Sequence, residues 1–112
     1  MTDKTIATIN AASTVVTLVN VYEVAPERQS ELAALLGDAA ERVFRRLPGF
    51  VSVNIHRSFD GARVVNYTQW ASKDEFDRVL GDAEAQAEMR RFADVAARVS
   101  PVLCRVTSVH AR

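Results

Sequence analysis

Residues 51–70 read VSVNIHRSFDGARVVNYTQW and predict a β-hairpin. Apolar and polar side chains alternate over the first half, which is the period of a strand with one buried face. Asp60 and Gly61 form a dipeptide typical of tight hairpin turns. Residues 63–70 are rich in β-branched and aromatic side chains, so they make the returning strand.

Helices and strands on both sides of this hairpin complete a βαββαβ order. Pro26 suits a first helical position, and Ser72 with Glu75 forms a capping-box pattern that opens a second helix. Pro101 is expected to end a third helix. The flanking strands are expected at residues 15–24 and 102–110, and the helices at 26–47, 73–80 and 82–100. Right-handed crossovers then predict an α+β, ferredoxin-like fold with a four-stranded antiparallel sheet and its helices on one face.

Length and composition fit one domain, because 112 residues support a single core. We expect residues 1–14 to be a flexible tail and residues 15–112 to form the domain. The 14 basic residues balance the 14 acidic ones, which argues against nucleic acid or a membrane surface as partner. The single cysteine, Cys104, excludes an intramolecular disulfide. No secretory signal is evident, and a cytoplasmic location is the simplest expectation.

Both faces of two predicted strands are apolar, although the predicted helices can cover only one face of the sheet. In the first strand, Val16 and Leu18 lie on one side, and Val19 and Val21 lie on the other. An uncovered apolar face usually marks an interface. We therefore expect a homodimer that packs sheet to sheet as a dimeric α/β barrel. The alternative is that the N-terminal tail covers the face, although its apolar content is low.

Polar side chains interrupt the hydrophobic strands at Asn20 and Asn66. Trp70 follows Asn66 by four residues, so both side chains share one face of a strand. A buried amide without partners costs about 1–3 kcal/mol, so it is expected to hydrogen-bond to protein, water or a ligand. The set predicts a pocket. The alternative is structural, in which the amides bond to the backbone and the indole is part of the core.

The ordered set of residues 48–52 (PGFVS), His56, Asp60-Gly61 and residues 64–70 (VVNYTQW) resembles the antibiotic biosynthesis monooxygenase family. The resemblance implies a dimer with a pocket between sheet and helices in each subunit. It further implies oxidation of an anthrone-like aromatic polyketide to a quinone by molecular oxygen. Flavin, haem and metal are not required in that family, so no cofactor is expected.

The same resemblance implies roles for individual residues. Asn66, Trp70 and Asn20 match residues that are catalytic in family members, as donors to a developing enolate oxygen. The substrate-binding set is His56, Arg90, Tyr22 and Phe76. In that set His56 is a candidate proton acceptor and Arg90 a partner for a phenolate. Phe76 departs from a tyrosine found in a relative, so one phenolic hydrogen bond is lost there.

Two placements and two other functions stay open at this point. A two-residue hairpin loop would turn His56 away from Asn66, whereas a three-residue loop, which the resemblance favours, would put both on one face. Arg90 is equally compatible with an exposed helical face. A non-catalytic polyketide-binding or cyclase-assisting dimer is the main alternative function. Haem degradation is disfavoured, because the last helix has no histidine to serve as axial ligand.

Overall fold

Four antiparallel strands and three helices form two layers in the computed structural model, which describes residues 5–112. The strands are paired in the order β2-β3-β1-β4. The α+β, ferredoxin-like prediction is therefore confirmed. The strands are β1 (Val16–Glu23), β2 (Phe50–Arg57), β3 (Arg63–Trp70) and β4 (Arg98–Arg105), and the helices are α1 (Gln29–Arg42), α2 (Lys73–Leu80) and α3 (Ala83–Val95). Short 3-10 turns at Pro26–Arg28 and Phe44–Arg46 flank α1.

The start of α2 has the predicted cap. The Ser72 side chain accepts a hydrogen bond from the Glu75 backbone N–H at 3.2 Å. The Glu75 carboxylate returns no bond to a described residue, and its buried Oε2 has no partner there. It instead lies against Gly49, whose φ of +87° and missing Cβ make room for it. Half of the capping box is thus formed, and Gly49 is needed for the approach of α2 to the turn before β2.

The C-terminal region differs from the prediction. Helix α3 ends at Val95, and β4 runs over Arg98–Arg105 rather than 102–110. Pro101 lies within this strand, paired with Asn20 of β1, instead of ending the helix. Because β4 is an edge strand, a residue without a backbone N–H is tolerated when that position faces solvent. The proline was therefore a marker of a sheet edge, not of a helix end.

The core lies between the helices and one face of the sheet. One end is built around Tyr22, Leu32 and Phe92, and the other around Trp70 and Phe76. An ion-pair clamp joins two of the helices beside it. The buried Glu88 carboxylate of α3 accepts hydrogen bonds from Arg42 of α1 and, at 3.1 Å, from Arg91. The clamp fixes α3 above the sheet, which positions the helical wall of the site described below.

On the other face of the sheet, no helix formed by residues 5–112 is packed. Val19, Val21 and Val65 are half-buried on this open face, and Val102 of β4 is 55% exposed. Residues 5–14 form neither helix nor strand and cross one edge of the face.

Two hydrogen bonds anchor this N-terminal segment. The Gln69 amide donates to the Thr8 carbonyl at 2.9 Å, and the Thr14 hydroxyl donates to the Ala71 carbonyl at 2.8 Å. Ile6 is nevertheless 83% exposed, so the segment covers little apolar surface. Residues 1–4 of the predicted tail lie outside the described part. Within the described range, none of the helices has the length and apolar character to span a membrane.

Candidate functional site

A cavity of about 520 Å³ opens between the helical layer and the inner face of the sheet. Its walls are almost entirely apolar. The residues in its lining that carry polar side-chain atoms are Asn20, Asn66, Thr68, Tyr22 and Trp70. The apolar walls include Leu18, Leu36, Phe44, Val53, Phe76, Val79, Met89, Phe92, Val99 and Leu103.

The strand register explains why the polar groups converge. Asn20 of β1 pairs directly with Asn66 of β3, so the two amides face each other across adjacent strands. Thr68 and Trp70 follow Asn66 at spacings of two, which keeps all three on the inner face. Asn66, Trp70 and Asn20 are therefore brought together, as the sequence pattern predicts. Thr68 was missed, although the same alternation places it between the two residues that were singled out.

Asn66 is buried without a complete set of partners. The residue is 8% exposed, and its Oδ1 makes no hydrogen bond to any described residue. An unpaired buried acceptor destabilises a fold by about 1–3 kcal/mol. Such a group is typical of a functional site, because a bound molecule with an O–H or N–H can supply the missing donor.

Trp70 is held rigidly by two aromatic neighbours. It is 3% exposed, and its ring packs edge-on against Phe50 at 5.6 Å and tilted against Phe76 at 6.5 Å. Its indole Nε1–H donates to none of the described residues, and Trp70 lines the cavity. Phe76 lies at the cavity wall, as expected.

Tyr22 lies at the opposite end of the same face. It is 5% exposed, and its ring meets Phe92 edge-to-face at 6.4 Å. Burial raises the pKa of the Tyr22 phenol to about 12, and a hydrogen bond with the Asn20 side chain opposes that rise. The phenol is consequently neutral at physiological pH.

His56 and Arg90 do not line the cavity, contrary to the expectation drawn from the resemblance. Ile55 pairs with Asn66, so His56 pairs with Val65 and is exposed on the open face. This is the register that a two-residue turn would give, although the connection is longer, with Ser58 and Arg63 closing the hairpin. Arg90 is exposed on α3, while its neighbour Met89 and nearby Phe92 point inward.

The cavity lining has no charged side chain among residues 5–112. Tyr22 is the one ionisable group in that lining, and it is held neutral. The described residues also contain no cluster of three histidine, cysteine or acidic side chains. The arrangement is a mostly apolar, uncharged pocket with a few hydrogen-bonding side chains, which suits a largely apolar ligand.

Comparison with known proteins agrees with this geometry. The model of the family described as "Antibiotic biosynthesis monooxygenase" matches residues 15–91. The tetracenomycin-F1 monooxygenase of Streptomyces glaucescens is 43% identical over 101 residues, covering 90% of this chain and 89% of that protein.

Among solved structures, SnoaB of Streptomyces nogalater, described as a cofactor-independent oxygenase, is similar in fold. It has a TM-score of 0.75 at 24% identity, over 87% of this chain and 97% of that one. A monooxygenase from the gene ActVA-Orf6 of Streptomyces coelicolor, in complex with nanaomycin D, has a TM-score of 0.75 at 26% identity. The match covers 89% of this chain and 93% of that one. Because the family model spans most of the domain and the identity to a relative is this high, the chain belongs to the antibiotic biosynthesis monooxygenase family and is a monooxygenase.

Proposed function

We propose that the chain oxidises a phenolic, anthrone-like aromatic polyketide to a quinone with molecular oxygen, without flavin, haem or metal. The observation that carries this proposal is the unpaired Oδ1 of buried Asn66, in an uncharged cavity that Trp70 also lines from the same face of β3. Fixed polar groups in such a cavity favour a guest that is mostly apolar and carries hydroxyl and carbonyl oxygens at its edge.

The dimensions support an aromatic guest. The volume of about 520 Å³ lies within the roughly 300–1,000 Å³ of typical small-molecule sites. Phe44, Phe76 and Phe92 contribute flat ring surfaces to the wall. The relative at 43% identity is named for action on tetracenomycin F1, an aromatic polyketide, which supports the same substrate class.

The chemistry needs little from the protein beyond binding and hydrogen bonding. An anthrone can lose a methylene proton to give a delocalised anion, and this anion can pass one electron to oxygen. No separate redox group is therefore required. Asn66 and Trp70 can donate N–H groups to the oxygen on which the negative charge develops, while Asn66 Oδ1 accepts from a substrate hydroxyl. Removing one such donor costs about 10²–10³ in kcat in enzymes that stabilise an oxyanion.

Oxygen uptake by the purified protein with a panel of anthrones tests the proposal. We expect uptake linked to quinone formation, and a loss of about 100-fold or more in kcat for Asn66→Ala and Trp70→Phe. Asn54→Ala is the matched control, since Asn54 lies on the opposite face of the sheet. Binding of anthrones without oxygen uptake would instead support a non-catalytic polyketide-binding or cyclase-assisting role.

We also propose that a second copy of the chain covers the open face. Val19, Val21 and Val65 lie there, and all eight residues of edge strand β4 are exposed. An apolar face next to an unprotected edge strand is unusual for an isolated domain. Two copies related by a two-fold axis would cover both features at once.

Mass measurement in solution tests this association. The wild type is expected at twice the monomer mass of 12.3 kDa. Val102→Glu, on the open face, should shift the mass toward the monomer, whereas Phe59→Glu, on the exposed hairpin loop, should not. A wild-type monomer at micromolar concentration would contradict the proposal.

A further inference from the structure

Tyr22 carries the one proton in the described cavity lining that a side chain could give up and take back. The other polar groups there are amides, a threonine hydroxyl and an indole, none of which titrates in water near neutral pH. After oxygen adds in the oxidation proposed above, the peroxide anion must gain one proton and the same carbon must lose another. Either a side chain or water must carry out these two transfers.

The position of the phenol suits such transfers. Tyr22 follows Asn20 by two residues on β1, so both side chains face the cavity roughly 7 Å apart along the strand. Asn20 in turn faces Asn66 across the strand pair. The edge-to-face contact with Phe92 and the near-complete burial fix the Tyr22 ring. The Tyr22 ring is therefore held at the cavity wall, on the same face of the sheet as the amide pair.

We propose that Tyr22 is a catalytic residue that protonates the peroxide anion formed on the substrate and then removes the second proton from the same carbon. The inference rests on the proposed function. Asn20 acts as a positioning residue, because its side chain lowers the pKa of the phenol and so favours the transient phenolate.

The steps balance as follows. The substrate methylene loses one proton to solvent, and the resulting carbanion combines with O₂ through one-electron transfer and radical recombination, which forms a C–O bond. The peroxide anion takes the Tyr22 proton, giving a hydroperoxide and a phenolate. The phenolate removes the remaining proton from that carbon, the C=O bond forms, and the O–O bond breaks to release hydroxide. Hydroxide combines with the first proton, so the net reaction is CH₂ plus O₂ to C=O plus water.

The acidity of the phenol agrees with this assignment. Burial raises the pKa of Tyr22 to about 12, so the group is protonated when oxygen adds. A peroxide anion is basic enough to accept a proton from such a phenol. The phenolate left behind is a strong base, which drives the second transfer and restores the neutral group. The same high pKa prevents Tyr22 from removing the first proton, which therefore leaves to water.

Tyr22→Phe tests the inference, since it keeps the ring and removes only the oxygen. Tyr67→Phe is the matched control, because Tyr67 is the other tyrosine of the chain and lies on the open face. For Tyr22→Phe we expect kcat to fall by about 100-fold, in the range of general acid–base catalysis, with little change in KM. Hydroperoxide should accumulate, so that less quinone forms per O₂ consumed.

Two further measurements keep the outcomes distinct. The double variant with Tyr22→Phe and Phe76→Tyr supplies a phenol from the opposite wall of the cavity. It should form more quinone per O₂ consumed than Tyr22→Phe alone. In the wild type, decay of the hydroperoxide should be slower when the substrate methylene carries deuterium, because the phenolate removes a proton from that carbon. If the wild type consumes no oxygen with any anthrone, the proposed function fails. If the wild type is active and Tyr22→Phe forms quinone with unchanged rate and coupling, the role of Tyr22 is refuted and the function stands.

Discussion

Replacing Asn66 with leucine should make the protein more stable and inactive at once. The change keeps a side chain of similar shape and removes a buried amide whose Oδ1 has no partner among the described residues. Leucine also suits the surroundings, because Ile55 pairs with this position on one side and the cavity wall is apolar. A group kept for binding is expected to cost stability in the empty protein.

The size of the effect follows from the unpaired acceptor. Relief of an unsatisfied buried polar group is worth about 1–3 kcal/mol. With an unfolding entropy of about 2.1 cal/mol/K per residue over 112 residues, each kcal/mol shifts Tm by about 4 °C, giving an increase of about 4–12 °C. Thermal unfolding followed by circular dichroism measures this shift, and oxygen uptake with an anthrone measures the loss of activity.

Asn54→Leu provides the contrast. The Asn54 amide donates to the Ser52 hydroxyl at 3.0 Å and to the Tyr67 carbonyl at 3.1 Å, so its removal breaks satisfied bonds. It should lower stability by about 1–3 kcal/mol and leave activity in place. If Asn66→Leu destabilises the protein as much as Asn54→Leu does, Asn66 is a structural residue and the reasoning about an unpaired site group is wrong.

Three other perturbations follow from the fold. Glu88→Gln removes the charge at the centre of the clamp between two arginines and should lower the free energy of unfolding by about 2 kcal/mol, measured by urea denaturation. Gly49→Ala should cost about 2–4 kcal/mol, because the added Cβ would clash with the Glu75 side chain at a φ of +87°. Gly81→Ala, whose added Cβ would lie 3.6 Å from the nearest atom, should be nearly neutral in the same assay. The raised pKa of Tyr22 favours the protonated phenol in the folded state. The contribution of this phenol to the free energy of unfolding is therefore complete below pH 10 and is lost as the pH rises to about 12. Unfolding free energies measured over a pH series should show this loss in the wild type but not in Tyr22→Phe.

Local patterns predicted the hairpin and the central strands well. The third strand was expected at residues 63–70 and is observed as Arg63–Trp70, because β-branched residues and a turn signal agree there. The last strand was misplaced, because Pro101 reads as a helix end unless the edge position of β4 is known. Edge positions depend on sheet order, which only the packing of the whole chain determines.

The placement of the cavity residues was predictable where it depends on alternation within one strand. Asn66 and Trp70 share a face by spacing alone, and Asn20 joins them through the pairing of β1 with β3. His56 could not be placed, since its side depends on the register across a turn, and a shift of one residue reverses every side chain. The helical residues Met89 and Phe92 of the wall depend on the rotation of α3 over the sheet, which the buried Glu88 clamp fixes.

Isotope labelling tests most directly whether the cavity couples an aromatic anion to oxygen. Metal-depleted, flavin-free protein should be given an anthrone under ¹⁸O₂, and the quinone analysed by mass spectrometry. The account predicts one ¹⁸O atom in the newly formed carbonyl of each product molecule, with the label absent when Asn66→Leu replaces the wild type. Quinone carrying only ¹⁶O, or turnover that depends on an added metal or flavin, would contradict it.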